Sequence, residues 1–257
     1  MKKIVTFNLR TDVKVDGENR FAFRKGIILD KITAEAPDVI GFQEVAPAMA
    51  QFLARYLEKE YTLVGCGRKA DFSCESCKIA YRKDKYELLF LETFWLSDTP
   101  YVPGSRFEVA SEYPRVCTHI ILRPVDGGTP FHVYNTHLDH ISDEARTLGA
   151  KVIMSHMADD LERWDYPAAL MGDMNAYPDS GAISAFLNDS EVELINQTPD
   201  FRASYHGFGK VDDPQIDYIF TRGFKPAADP VAWGMTPYGK FLSDHNALCT
   251  YLDTIEK

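Results

Sequence analysis

Six short apolar runs, scattered from one end of the chain to the other, each meet a polar side chain that can hold a proton or a cation. They are TFN at Asn8, VIGFQE at Glu44, VYNTHLDH at Asn135, His137 and Asp139, ALMGDMN at Asp173 and Asn175, QIDYIF at Asp217, and SDHNAL at Asp244 and His245. Apolar runs this short read as strands covered by a core, and their polar ends must find partners. In AALMGDMN the strand period of two sends Asp173 and Asn175 out on the same side. A single polar strand end is an ordinary cap or turn. Six of them together, bearing only carboxylates, amides and imidazoles, are harder to dismiss, and their chemistry converges.

Between these runs the pattern alternates. KIVTFN (3–8) reads as a strand, and Phe21, Phe23, Ile27, Ile28 and Ile32 fall at helical spacing over 21–35, with Pro37 as the stop. DVIGFQE is the next strand, and PAMAQFLARYLEK is a helix opened by Pro47. Strands are expected at 61–65, 78–83 and 87–96, followed by an irregular stretch over 98–114. VCTHIILRPV and FHVYNTHLDH flank the turn DGGTP and read as a hairpin. SDEARTLGAKVIMSHMADDLE is the longest helix, capped by Ser142 with acids in its first turn. AALMGDMN follows, then a short helix at 180–187 and strands at 215–221, about 230–235, and 246–252. Strands and helices in both halves suit two sheets packed together with helices outside. No repeat, linker or composition break divides the chain, so residues 1–257 are expected to form one catalytic domain.

With 45% hydrophobic and 26% charged residues the composition is that of an ordinary globular protein, without an apolar run long enough to cross a membrane. MKKIVTFNLR is broken by Asn8 and Arg10 and reads as a first strand rather than a leader. Five cysteines, an odd number, suit a reducing compartment, and a cytoplasmic location is expected. Cys74 and Cys77 form a lone CxxC with no second pair to complete a zinc set, so ordinary packing is the expected use. A net charge of −10 argues against bulk affinity for nucleic acid but does not exclude a nuclease, since bound cations offset local acidity.

Hard oxygen donors such as Glu44, Asp173 and Asp244 suit Mg²⁺ or Mn²⁺ rather than a closed zinc site. An imidazole beside carboxylates, as in Asp244-His245, can stabilise charge while phosphorus is attacked. Phosphoryl transfer is the reaction class these groups share.

In order, TFN, GFQE, YNTHLDH, GDMN, QIDYIF and SDHNAL resemble the endonuclease/exonuclease/phosphatase superfamily of metal-dependent phosphoesterases, along nearly the full chain. The resemblance implies an α/β (α+β) fold, a four-layer α/β sandwich of two mixed β-sheets packed face to face with helices outside. It implies Glu44 as principal metal ligand, Asn8 beside it supporting metal or phosphate, and Asp244 completing the metal-side carboxylates. By the same resemblance Asp173 orients or deprotonates the attacking water, and Asn175 holds water or a phosphate oxygen. His245 contacts the scissile phosphate with Asp217 as its orienting partner, and His137 is a second phosphate-facing imidazole. Glu75 stands where related hydrolases place the acid that partners that second histidine. Arg115 offers its guanidinium to phosphate, as planar donors do well.

Leu9-Arg10 departs from the DNA-repair members, which carry an acid two residues beyond the asparagine, and leaves Arg10 without a role. ETFWLSDTPYVPGS looks like the uncharacterised bacterial branch. The substrate is thus expected to be a phosphodiester or small phosphorylated metabolite, with no protein partner inferred. A single-stranded nuclease, with Phe107, Tyr113, Phe201, Tyr205 and Phe208 as stacking rings, and an inactive binding protein on the same fold are the alternatives. Selectivity is expected from loops around 66–78, 98–114 and 200–213.

Overall fold

A computed structural model describes residues 1–108, 111–199 and 201–255. Its elements are, in order, β1 (Lys2–Asn8), α1 (Phe21–Glu35), β2 (Val39–Val45), α2 (Pro47–Leu57), β3 (Tyr61–Val64), β4 (Ser76–Arg82), β5 (Tyr86–Trp95) and β6 (Val116–Pro124). They continue with β7 (Phe131–His137), α3 (Asp143–Arg163), β8 (Ala168–Asp173), α4 (Gly181–Leu187), β9 (Ile195–Asn196), β10 (Asp217–Arg222), β11 (Phe224–Trp233) and β12 (Ala247–Thr254). Local chemistry sets the helix ends. Pro47 stands at the first turn of α2, where its missing N–H is not needed. The Ser142 hydroxyl accepts the Ala145 N–H at 3.1 Å to open α3.

Two six-stranded sheets result, ordered β11-β12-β1-β2-β4-β3 and β5-β6-β7-β8-β10-β9. Each is mixed, because one central pair is parallel, β1 with β2 and β7 with β8, and the other pairings are antiparallel. The parallel pairs need crossovers, which α1 and α3 supply. Ile4, Val39, Ile79, Val133, Met171 and Ile219 fill the space between the sheets. On the outer faces, Val5, Phe7, Ile40 and Phe42 pack under α1 and α2, while Leu170, Tyr218 and Phe220 pack under α3 and α4. The central strands are therefore buried on both faces, which is why they read as continuous apolar runs. The four-layer sandwich expected from the sequence is the architecture found.

Three features differ from the sequence reading. The strand expected at 230–235 starts six residues earlier, at Phe224. Pro226 and Pro230 disguised it, and they are tolerated because β11 is an edge strand with two register shifts, where ladder donors are dispensable. The 3₁₀ segment Lys14–Asn19 and the two-residue β9 were not anticipated.

A polar bridge runs through the apolar layer between the sheets. Asn135 on β7 donates to the Phe42 and Lys78 carbonyls at 3.0 and 2.9 Å and accepts from Gln43 Nε2 at 2.6 Å. Gly41 makes room for it, since a Cβ there would lie 2.7 Å from Asn135 Oδ1. Replacing Asn135 by Leu removes all three bonds and is expected to lower stability by about 2–4 kcal/mol in urea titration. A loss below about 0.5 kcal/mol would show that the bridge contributes nothing net.

Candidate active site

Strand register sets the floor of the site. His137 on β7 and Asp217 on β10 are both Cα partners of Asp173 on β8, so the three lie side by side at one end of the second sheet. Their strands send Val133, Met171 and Ile219, of the same parity, into the space between the sheets, and the three polar side chains follow. Gly172 lets β8 close on β7, for a Cβ there would sit 2.1 Å from the Thr136 carbonyl oxygen. From the first sheet β1 delivers Asn8. Glu44 arrives by a different route. Alternation with Ile40 and Phe42 aims it at the helices, but β2 is bulged between Phe42 and Val45, and a left-handed φ of 58° at Glu44 turns the side chain into the cleft. Asn175, expected to leave the strand beside Asp173, lies past the strand end in a left-handed turn, φ 46°. It lines the same cleft, donating its backbone N–H to Asp173 Oδ1 at 2.9 Å and its amide to the Leu138 carbonyl at 3.1 Å.

Asp173 is, with Asp217, the most enclosed carboxylate of the group, 1% exposed. Its Oδ2 accepts from Asn8 Nδ2 at 2.9 Å and lies 3.4 Å from His137 Nε2 and 3.7 Å from His245 Nε2. Burial, with the neighbouring Asp217 charge, outweighs these donors and pushes its pKa up to about 7. His245 answers in the opposite sense. Burial opposes its charge, but Asp217 at 2.9 Å from Nδ1, together with Asp173, raises it to about 10 and keeps the ring an imidazolium. His137 is held well below its ordinary value by burial and by Arg115 and Arg68, so it is neutral.

Three expected roles are modified by the geometry. Asn8 presents nitrogen, not oxygen, to the acidic centre: Nδ2 donates to Glu44 Oε1 at 3.2 Å and to Asp173, while Oδ1 accepts the Arg10 N–H at 2.9 Å. In this orientation Asn8 spaces two carboxylates. Asp244 faces Arg10 Nε at 3.6 Å, and Arg10 is itself clamped on Asp16 at 2.9 and 3.2 Å, which gives that unexplained arginine a place. Glu75 does not pair with His137. It is ion-paired with Arg68 at 3.0 Å, the stronger attraction for a half-buried acid than a neutral ring. Glu44 accepts only the Asn8 amide and the Thr11 N–H, at 2.8 Å, and makes no ion pair among the described residues. Its remaining oxygen lone pairs fit a hard divalent cation completed by water and phosphate oxygens.

The cleft, whose volume is about 1120 Å³, also has basic residues in its lining that went largely unread in the sequence. Arg68, Tyr113, Arg115, His140 and Arg146 line it. Arg115 is buried, with Nη2 donating to His140 Nδ1 at 2.8 Å. Trp95, from the ETFWLSDTP run, holds the Arg68 loop by donating its indole N–H to the Arg68 carbonyl at 2.6 Å. Each selectivity loop reaches the cleft through Arg68, Tyr113 or Tyr205; Val109, Ala110 and Asp200 in them lie outside the described residues. Cys74 lines the cleft, whereas Cys77 packs against Trp95 and Val116 with its thiol pushed up to about 12 by burial, so of the CxxC pair Cys77 is packing. Asp139 is a turn anchor, accepting the Ile141 and Ser142 N–H groups at 2.8 Å. Arg24 was also missed. It shares the buried face of α1 with Phe21, Ile28 and Ile32 and donates to the carbonyls of Leu9, Arg10 and Leu242, stitching together the segments that carry Arg10 and Asp244.

Paired carboxylate and imidazole at converging strand ends, on a two-sheet sandwich, define a hydrolase site of the phosphoesterase class. The chain belongs to the Endonuclease/Exonuclease/phosphatase family, which it matches over residues 5–245. It is similar in structure to the endonuclease/exonuclease/phosphatase from Bacteroides vulgatus, at 28% identity and TM-score 0.90 over 98% of each chain. A functionally unknown conserved protein from Enterococcus faecalis matches at 28% identity and TM-score 0.88, over 98% of this chain and 99% of that one. The Bacteroides thetaiotaomicron mannosyl-6-phosphatase shares the fold at 23% identity and TM-score 0.84, over 98% of this chain and all of that one. No relative was found among curated proteins. No helix among the described residues is long and apolar enough to cross a membrane.

The His245–Asp217 pair makes a pH prediction. Because the folded-state value of about 10 exceeds the ordinary 6.5, the charged ring stabilises the fold fully below pH 6.5, and that contribution is lost as pH rises through about 10. In EDTA, the unfolding free energy of the wild type is expected to fall over this window more steeply than that of Asp217→Asn, which keeps an acceptor without the charge. Equal slopes in the two proteins would contradict the assignment.

Proposed function

We propose that the protein is a divalent-metal-dependent hydrolase of phosphoester bonds that acts by in-line attack of water on phosphorus. The observation that carries this reading is the division of labour around Asp173: a buried carboxylate with a pKa of about 7 between a charged and a neutral imidazole. At neutral pH a large share of Asp173 is ionised and accepts a proton from water, its Oδ1 fixed by the Asn175 N–H. His245, charged and oriented by Asp217 through Nδ1, turns Nε2 toward the oxygens on which negative charge develops. His137, neutral, adds an uncharged contact on the other side of Asp173. Arg115 supplies fixed positive charge in the same cleft. Mg²⁺, with Mn²⁺ as a substitute, is the cation the oxygen set favours, on Glu44 and with Asp244 free to join if Arg10 yields. When bound there it neutralises charge on phosphate oxygens.

A small phosphorylated substrate is favoured over a nucleic-acid strand. Of the five loop aromatics offered for stacking, only Tyr113 and Tyr205 line the cleft. Phe107 is buried, and Phe208 packs on Phe241 and the Arg24 guanidinium. That one neighbour of the same fold is by name a mannosyl-6-phosphatase suits this choice. A cytoplasmic location, where five free thiols stay reduced, belongs to the same reading.

A panel of phosphomonoesters, phosphodiesters, nucleotides and labelled oligonucleotides, assayed with Mg²⁺ or Mn²⁺, tests it. EDTA is expected to abolish turnover, and Asp173→Asn or His245→Ala to reduce kcat by about 10²–10⁴-fold. Undiminished turnover in either variant overturns the reading, and cleavage of oligonucleotides alone overturns the preference for a small substrate.

A further inference from the structure

A second polar cluster lies on the outer face of the second sheet, under the last turns of α3. His119 on β6 and His132 and Tyr134 on β7 meet Asp160 of the helix there, and Glu92 on β5 is the Cα partner of His119. Both rings are fully buried and Asp160 is 5% exposed, with Phe90 and Trp164 packed alongside. None of these residues lines the cleft. The same face otherwise carries apolar side chains such as Phe94, Leu170 and Phe220. Two imidazoles and a carboxylate taken out of water among them cost free energy unless each is matched.

Matching them leaves one contact short of a proton. His132 Nε2 faces the Trp164 carbonyl at 2.9 Å, and a carbonyl can only accept, so the ring proton sits on Nε2 and Nδ1 is a lone pair. His119 Nδ1 faces Asp160 Oδ2 at 3.2 Å and Glu92 Oε1 at 3.4 Å, which draws that ring's proton to Nδ1. His119 Nε2 is then a lone pair too, and it lies 2.9 Å from His132 Nδ1. Tyr134 does not mend the contact, because its hydroxyl donates to Asp160 at 2.7 Å and stands 3.5 Å from His132 Nδ1. Burial holds both rings below their ordinary pKa, which disfavours a second proton on either. A metal ion closes the contact without one.

The surroundings suit such an ion. His119, His132 and Asp160 each offer a ligand atom within 4.8 Å of the others. Both outward ring nitrogens have an acceptor, the arrangement that fixes the tautomer and orientation of ligating histidines. Asp160 and Glu92 together balance a divalent charge. The inner nitrogens, 2.9 Å apart, need to part by about 0.5 Å to hold a tetrahedral ion at about 2.0–2.1 Å. Imidazole donors select Zn²⁺ or its borderline neighbours over Mg²⁺.

We infer that His119, His132 and Asp160 form a structural site for a borderline divalent cation, Zn²⁺ foremost, that ties α3 to β6 and β7. The site stands apart from the cleft and does not depend on the phosphoesterase reading. The double variant Glu44→Gln/Asp173→Asn, which removes two acids of the cleft, keeps the two regions distinct in the test. Gel-filtered after refolding with Zn²⁺, it is expected to retain about one equivalent by elemental analysis. Loaded with Co²⁺ instead, it is expected to show the strong visible absorption of a tetrahedral centre and two shifted imidazole N–H resonances. Adding His119→Gln or His132→Gln is expected to abolish retention and to lower the Tm of the Zn²⁺-refolded protein by about 5 °C or more. Should those variants fail to fold, the Co²⁺ spectra of the double variant decide alone: an octahedral spectrum, or one without imidazole resonances, overturns the site. Failure of the double variant to retain either ion overturns it as well, as does full retention by a folded His132→Gln protein. The short contact would then be closed by a third proton.

Discussion

The two sheets converge chemically on a single amide. Asn8 has two N–H bonds, and it gives one to Glu44 of its own sheet and one to Asp173 of the other. The Arg10 N–H on its oxygen selects this orientation, since the flipped amide would set an oxygen against two carboxylates. Without that wedge the site would hold two acids facing each other with nothing between them but solvent or ions. With it, the separation of Glu44 from Asp173 is built into the fold before any ligand arrives.

The same enclosure explains why neighbouring groups differ so much in charge state. Burial acts on Asp173, His137 and His245 alike and disfavours charge on each. Only His245 has a carboxylate in direct contact with its far nitrogen, so only His245 escapes. Asp217 thereby does two things at once: it secures an imidazolium and, by its proximity, pushes Asp173 toward neutral pH. A carboxylate that titrates near the working pH and an imidazole that does not are what base and charge stabiliser require.

Much of this was legible in the sequence, and the reasons for the rest are specific. Apolar runs marked the central strands because those strands are covered on both faces, and Ser142 and Pro47 marked helix starts by local chemistry. Strand alternation put Asp173 and Asn175 on one side, and both do line the cleft, but Asn175 reaches it from a left-handed turn past the strand end. Alternation would have aimed Glu44 at the helices, because a bulge is invisible to a period of two; the GFQE motif, not periodicity, placed that residue. Arg24 could have been noticed, since it falls in step with Phe21, Ile28 and Ile32 on a face that should carry no charge. Arg68, His140 and Arg146 could not, because each sits in a polar stretch whose ordinary fate is solvent. Tertiary folding alone brought them to one cleft.

That lining also settles an apparent conflict with the net charge of −10. A chain this acidic repels phosphate at long range, yet the reacting group must approach Glu44, Asp173 and Asp244. The arginines meet this by pairing each with a structural carboxylate, Arg68 with Glu75, Arg115 near Asp139 and Arg146 with Asp143, so that no bare positive field is needed to fold. Those pairs hold the guanidiniums in place along the cleft, and groups in a cleft act at contact distance, where salt and overall charge matter least. Contacts within the cleft, rather than long-range steering, are therefore the mode of anion recognition this charge distribution permits.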